Sequence, residues 1–280
     1  MKETPKISIV TVTYNCKATV EKTIQNVLKQ TYPNIEYIVI DGNSTDGTKE
    51  IIERYADRLA YWVSESDKGI YDAMNKGIKA ATGDWILFRN SGDYFFEPST
   101  VEKVFDWYKK KNDEVKIITG GERCYGSDGY FDYLYNYKGN DVWEKARFPH
   151  PSTFIDLEIQ KKNLYPTDLR ISSDFYLFQK LMLEEVSFAI YPGNVSLFDC
   201  ETGVSSCNKG KGWQERIITL QRLGAPENVV RRMVYKRYYT IFASKVISLL
   251  SKWKFTRGIY TKHSFPNWVK QSVDKTLSEI

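Results

Sequence analysis

Residues 7–12, ISIVTV, form an unbroken apolar and β-branched run, as in a strand buried on both faces. Over residues 20–28, Val20, Ile24, Val27 and Leu28 return at three- and four-residue steps and make one helical stripe. A second strand is expected at 36–40, closed by the turn DGNSTDGT. In that turn Ser44 is suited to cap a helix and Asp46 to sit in its first turn, where the dipole favours a carboxylate. Ile51, Ile52 and Tyr55 continue the buried side of that helix. A short strand follows at 60–63, then a helix with Ile70, Ala73, Met74, Gly77, Ile78 and Ala81 as its apolar face. The strand DWILF at 84–88 ends in the turn RNSGD. Strands alternating with helices at this spacing predict an α/β domain: a mostly parallel sheet with helices on both faces.

The pattern weakens after residue 110. Residues 120–150 are rich in Gly, Tyr and Asp without a clear period, which predicts a long insertion over an active site. A helix at about 174–185 and strands at 187–191 and 195–198 follow, and beyond Cys207 the chain turns basic, aromatic and helical. The expected organisation is one domain over 1–207, with a division near 110, and a basic amphipathic helical extension over 208–280.

Composition adds limits rather than a function. With 42% hydrophobic and 27% charged residues the chain is globular in type, not disordered. Cys16, Cys124, Cys200 and Cys207 form no CxxC pair, which gives neither a zinc site nor a disulfide framework and suits reduced thiols in a cytosol. MKETPKISIV lacks a signal-peptide core. The best late apolar stretch, TIFASKVISLL, is short and carries Lys245, whereas a spanning helix needs roughly 20 apolar residues. The net charge of +5 is uneven: from Lys209 onward fifteen Lys and Arg face four acids, so the earlier part is net acidic. A nucleic-acid partner is not expected, because the positive charge lies in the tail rather than around a cleft.

In an open parallel sheet, ligands bind at the carboxyl ends of the strands. The polar residues just after the expected strands are Thr13, Tyr14 and Asn15; Asp41, Gly42, Asn43 and Ser44; Ser64, Glu65, Asp67 and Lys68; and Asn90, Ser91, Gly92 and Asp93. They offer what a nucleotide diphosphate needs. Tyr14 can stack on a base and Asp41 can accept an imide proton. Lys68, and a cation held by Asp93, can offset pyrophosphate charge. The alternative is that Asp41, Asn43, Ser44 and Asp46 only shape turns and caps. Neither GxGxxG nor GxxxxGK[ST] is present, which disfavours nicotinamide, flavin and ATP-hydrolysis readings.

Together, ISIVTVTYN, QTYPNIEYIVIDGNSTDGT, SDKGIYDAMNKGIKAATGDWILFRNSGD and ISSD at 171–174 resemble the family 2 glycosyltransferases, an inverting family with a GT-A fold. The likeness is strong over residues 6 to about 110 and looser over about 148–205. SDKGIYDAMNKGI and NSGD are similar to the branch that builds bacterial exopolysaccharides, colanic-acid-type enzymes included. The resemblance makes 1–110 the nucleotide-sugar-binding half and 111–207 the acceptor and catalytic-base half. It implies a nucleoside held by Thr13, Tyr14 and Asp41, with Asn15 and Ser44 beside them. Asp67, Lys68 and Asn75 flank the nucleotide-sugar, for which UDP is the default. The family's metal-binding DxD aligns with Asn90-Ser91-Gly92, followed by Asp93. Both DxD acids are replaced, so Asp93 alone is left to hold manganese or magnesium with pyrophosphate oxygens and water. Asp174 takes the place of the catalytic base, although its position ahead of FYLFQKLM also suits a helix-terminal charge. His150, opening HPSTF, falls on the acceptor side, with a structural hydrogen bond as the other reading. Arg170 falls where it can contact donor or acceptor. No chemistry is assigned to His263. Loss of the DxD acids also leaves open a nucleotide-sugar-binding protein without catalysis.

RRMVYKRYYTIFASKVISLLSKWKF interleaves basic and aromatic residues at near-helical spacing. Such a helix can lie on an anionic membrane surface or pack on the domain or on a second subunit as a homodimer. The resemblance implies a lipid-linked or glycan acceptor at the cytoplasmic face of an inner membrane.

Overall fold

A computed structural model describes residues 4–111, 114–126, 129–133, 142–145, 148–199 and 209–250. Strands β1 (Ile7–Thr13), β2 (Ile35–Asp41), β3 (Tyr61–Ser64) and β4 (Trp85–Phe88) alternate with helices α1 (Val20–Leu28), α2 (Thr48–Glu53) and α3 (Ile70–Ala80). The first four strands lie in the order β3-β2-β1-β4, all parallel, with Thr13 opposite Asp41 and Asp41 opposite Ser64. This register brings the polar residues that follow the strands to one edge.

The second half is mixed rather than parallel. After β5 (Tyr94–Phe95) and α4 (Thr100–Lys111) come β6 (Ile117–Gly126), β7 (Gly129–Tyr133), the short α5 (Val142–Lys145) and β8 (Thr153–Asp156). α6 (Leu157–Lys162), α7 (Ser173–Leu183) and β9 (Phe188–Asp199) complete it. The sheet continues β4-β8-β6-β9-β5 with β7 on β6; β8 runs antiparallel to both β4 and β6, while β6 and β9 are parallel.

Alternate residues of each strand feed the two faces, as the two-residue strand period requires. Ile7, Ile9, Val39 and Leu87 join α1, α2 and α4 in one core, whereas Val10, Val12, Ile38, Ile40 and Phe88 join α3 and α7 in the other. α3 comes so close to the sheet that a Cβ on Gly77 would lie 2.4 Å from Val10 Cγ1. Any side chain there would push the helix off the strand.

Three expectations are corrected. The insertion at 120–150 is not a loop at its start: Gly120–Gly126 belong to β6, in the interior of the sheet. The run GGERCYG hides that strand because β6 slips register against β9 at Thr119/Gly121 and Gly121/Glu122, which breaks the alternation. The runs at 187–191 and 195–198 form the single strand β9. Ser44 does not cap α2, and Asp46 precedes the helix: the cap position is Gly47, at φ 99°, while Asp46 Oδ1 accepts Thr48 N (3.0 Å) and Thr48 Oγ1 (2.6 Å).

Helices α8 (Lys209–Arg222) and α9 (Glu227–Leu250) form the described part of the extension. α8 and α9 share a small core with α7 through Phe175, Leu220, Val229 and Met233. Cys16 and Cys124 are free thiols. Cys200, Cys207, His263 and the tail beyond residue 250 lie outside the described residues, as do 127–128, 134–141 and 146–147 of the expected insertion. Among the described residues no helix is long and apolar enough to cross a membrane.

Candidate functional site

The carboxyl ends of β1, β2 and β4 open onto two adjoining hollows. An inner cavity of about 630 Å³ is lined by Thr13 from β1; Asn90, Ser91 and Asp93 after β4; Glu122 on β6; and His150 and Asp174 from the second half. An outer cleft of about 670 Å³ is lined by Gly42, Asn43, Lys68 and Asp168 among others. Tyr14, Asp67 and Arg170 border both. Tyr14 is 62% exposed at this junction, with its ring open to a ligand.

Asp174 sits in the first turn of α7. Tyr71, the second residue of α3, shares its one hydroxyl hydrogen between Asp174 Oδ1 (3.1 Å) and Ile171 O (3.0 Å), which holds the carboxylate at the cavity. Burial and the Asp174 charge hold the Tyr71 phenol well above its ordinary range, so it stays a donor. His150 is stacked on Phe88 at 5.4 Å, and its Nε2 shares a 2.9 Å hydrogen bond with Tyr165 Oη. Burial lowers its pKa, outweighing the Asp174 charge, and favours the neutral ring. It therefore has the structural hydrogen bond and also faces the cavity.

Arg89, fully buried at the end of β4, holds the charge on this floor. Its guanidinium lies 4.0 Å over the Phe95 ring and donates to Tyr94 O (3.1 Å), while Nε and Nη2 have no hydrogen-bond partner among the described residues. Burial pulls Arg89 down to about 10. It pushes Asp93 up to about 6 against the pull of Arg89, and Glu122 up to about 7 with help from the Asp93 charge. Two carboxyl groups thus face the cavity, with the buried Arg89 charge acting on both.

Among the described residues no three His, Cys, Asp or Glu side chains converge as a metal cage. Asp93 nonetheless shares the cavity wall with Asn90, whose Oδ1 is buried without a hydrogen-bond partner among the described residues. Oxygens of this kind suit a hard divalent cation that draws the rest of its shell from a ligand and water.

Of the residues expected to bind the nucleotide-sugar, Asn15, Asp41, Ser44, Asn75 and Gly92 line neither hollow. Asp41 is fully buried and accepts Ser44 N (2.9 Å), Ser44 Oγ (2.5 Å) and Ser64 Oγ (2.6 Å). Asn15, at φ 50°, takes Ser44 Oγ through its own N–H (2.8 Å) and Thr45 N through Oδ1 (3.0 Å). Asn75 pairs with the backbone of Tyr165 in both directions, at 2.9 Å each. Gly92 donates to Thr23 Oγ1 at 3.0 Å. These residues stitch turns, the alternative reading of such residue types. Conversely, Tyr71 and Glu122 line the inner cavity and Tyr165 bonds His150 behind it, and pattern reading passes over all three. Tyr71 borders a helical apolar face and reads as core, and Glu122 lies in the slipped strand.

The model of the family described as Glycosyl transferase family 2 matches residues 8–175. An uncharacterized glycosyltransferase of Mycobacterium tuberculosis is 31% identical over 192 residues, 67% of this chain and 73% of its own length. A Mycobacterium bovis protein named PGL/p-HBAD biosynthesis glycosyltransferase is 35% identical over 103 residues, 36% of this chain and 40% of its own. Among solved structures, the Pyrobaculum calidifontis mannosyltransferase PcManGT, in complex with GDP-Man and Mn2+, aligns with a TM-score of 0.64. It is 17% identical, over 95% of this chain and 83% of that one. S. aureus TarS in complex with UDP-GlcNAc aligns with a TM-score of 0.61 at 16% identity, over 87% of this chain and 75% of that one. The parallel strand-end site and the matched span agree: this chain belongs to glycosyl transferase family 2, on a GT-A fold.

Proposed function

We propose that this chain moves one sugar from a nucleotide diphosphate, with a UDP-sugar as the first choice, onto a hydroxyl of a glycan or lipid-linked acceptor in bacterial surface polysaccharide synthesis. The observation that carries this reading is that Asp174, held by Tyr71, and Asp93 face one cavity at the strand ends. In it, the outer cleft takes the nucleoside, with Tyr14 stacking on the base and Lys68 near the phosphates. The inner cavity takes the sugar and the acceptor hydroxyl. Asp174 accepts the hydroxyl proton as that oxygen bonds to the anomeric carbon and the bond to the diphosphate breaks, a single displacement that inverts the centre. Asp93 and Asn90 would hold manganese or magnesium, which supplies positive charge to the leaving diphosphate when bound. His150 and Arg170 line the acceptor side.

On α9, Tyr235, Tyr238, Tyr239 and Phe242 are 63–74% exposed at helical spacing, among Arg231, Arg232, Lys236 and Arg237. This basic aromatic face fits an anionic lipid surface, which would keep the protein at the cytoplasmic side of the membrane that carries its acceptor. Sedimentation with anionic against neutral vesicles tests it, and a concentration-dependent dimer without lipid binding points to a second subunit instead.

The decisive assay offers the purified chain a panel of UDP- and GDP-sugars with and without Mn2+. Turnover that disappears in Asp174→Ala is the expected result. Tight donor binding without turnover on any acceptor offered would favour a binding protein that has lost catalysis.

A further inference from the structure

The family match ends at residue 175, yet the segment that carries the base is held from beyond it. Glu215 lies on α8, is only 5% exposed, and directs its carboxylate at three consecutive backbone amides. Oε1 accepts Arg170 N at 2.9 Å; Oε2 accepts Ile171 N at 2.7 Å and Ser172 N at 2.9 Å. A buried carboxylate is costly unless its oxygens are hydrogen-bonded, and charge-assisted bonds of this kind are the strong ones. Here all three end within four residues of Asp174.

The rest of the segment is tied in the same direction. Ser172, the cap residue of α7, makes no side-chain cap bond; its hydroxyl donates to Gly212 O on α8 at 3.2 Å. Arg222, at the end of α8, pairs with Asp168. From the opposite side Tyr71 takes Ile171 O, and Arg170 Nη1 donates to Lys68 O at 2.6 Å. The amides of 170–172 therefore face α8, while Arg170, Ile171 and Asp174 line the cavity. A loop clamped on both sides cannot slide without moving the carboxylate it leads into.

We propose that Glu215 is a positioning residue: by holding the amides of 170–172 it sets Asp174 against the acceptor hydroxyl, which makes α8 part of the catalytic unit. The proposal rests on the reading of Asp174 as the base. Its test uses the full chain, whichever of UDP-GlcNAc, UDP-glucose, UDP-galactose and GDP-mannose turns over fastest with Mn2+, and amide hydrogen exchange across 168–176. Glu215→Gln keeps the shape but replaces one acceptor oxygen by an NH2 group. It is expected to lower kcat about 100-fold, the loss that a misplacement of about 1 Å brings, with donor KM within about threefold. Exchange at 170–172 should rise with it.

Leu220→Ala is the control, since it loosens the same helix at Phe175 without touching the amides. A Glu215→Gln enzyme with unchanged kcat overturns the proposal, and so does a Leu220→Ala enzyme of equal stability that loses kcat equally. Should Glu215→Gln not fold, Ser172→Ala, which cuts only the tie to Gly212, is expected to cost about fivefold in kcat at unchanged KM; no loss would overturn it. If no donor turns over, exchange decides: unprotected amides at 170–172 in the native chain sink the idea. Asp174→Asn in the same assay separates the two readings. Full turnover there refutes the base, whereas its loss beside an active Glu215→Gln refutes only the positioning role.

Discussion

The turns after β2 and β4 occupy equivalent places at the strand ends, but their polar groups are in opposite states. After β2, Asp41 accepts from Ser44 and Ser64, Ser44 is bonded by Asn15 from the turn after β1, and Asp46 accepts from Lys17 and Thr48. After β4, Asn90 Oδ1 and two nitrogens of Arg89 have no hydrogen-bond partner among the described residues, and Asp93 is pushed up to about 6. Buried polar groups in native proteins are nearly always satisfied, so the open oxygen of Asn90, on the cavity wall beside Asp93, marks a place for a ligand. The same contrast runs through the buried carboxylates. Burial alone would raise Glu36, yet hydrogen bonds from Lys6, Ser8 and Thr82 outweigh it and hold the group at about 2. Glu122, with no comparable set of donors, goes up to about 7. One turn builds the scaffold and the other is left open.

The largest expected effect falls on the open side. Asp174→Asn should lower turnover about 1,000-fold with little change in melting temperature, as expected on removing a general base. Loss of stability in parallel with activity would instead make Asp174 a structural helix charge. On the satisfied side, Glu36→Gln should cost about 3 kcal/mol at neutral pH and leave any activity of the folded enzyme intact. Because the folded pKa lies below the unfolded value of 4.5, that contribution is complete above pH 4.5 and is lost as pH falls toward about 2. Urea unfolding of both proteins from pH 7 down to pH 3 should show the gap narrowing; a constant gap would mean that packing, not charge, holds Glu36.

This contrast also explains what could be read from the sequence. The first half was legible because β1, β2 and β4 are buried on both faces and the helices between the strands on one: Val20–Leu28 falls where its stripe put it. Residue types after the strands pointed to the end of the sheet where the two hollows lie. They could not say which polar groups were already bonded, since Asp41 and Asp93 look alike until Ser44 and Ser64 are seen on the first. In the second half β6 was hidden by its slipped register, and with it Glu122. Glu215 gave no signal, because a single acid in a basic helix reads as solvated until its three amides, more than forty residues away, are in view.

Replacing Asp93 sharpens the comparison further. Asp93→Asn removes a carboxylate that burial disfavours, so the protein should be as stable as the parent or slightly more so. Its Mn2+-dependent affinity for UDP should fall about 30-fold, measured by calorimetry with and without the metal. Equal UDP affinity in the two proteins at saturating Mn2+ would remove Asp93 from the metal and leave it a partner of Arg89 alone.

Thr13→Val tests the open side at its mildest. Thr13, at the end of β1, lines the inner cavity, and its buried hydroxyl has no hydrogen-bond partner among the described residues. Valine has the same branched shape and fits a strand end, so no cavity or clash is created. If the hydroxyl were bonded as Asp41 is, valine would strand its partner and cost about 1 to 3 kcal/mol. Since it is not, stability should stay within about 0.5 kcal/mol of the parent or rise. A donor that does use the hydroxyl would lose one neutral hydrogen bond, about a three- to tenfold weaker Kd by thermal shift with UDP. Unchanged stability with weakened binding is the signature of a group kept free for a ligand; lowered stability with unchanged binding would move Thr13 to the scaffold, beside Asp41.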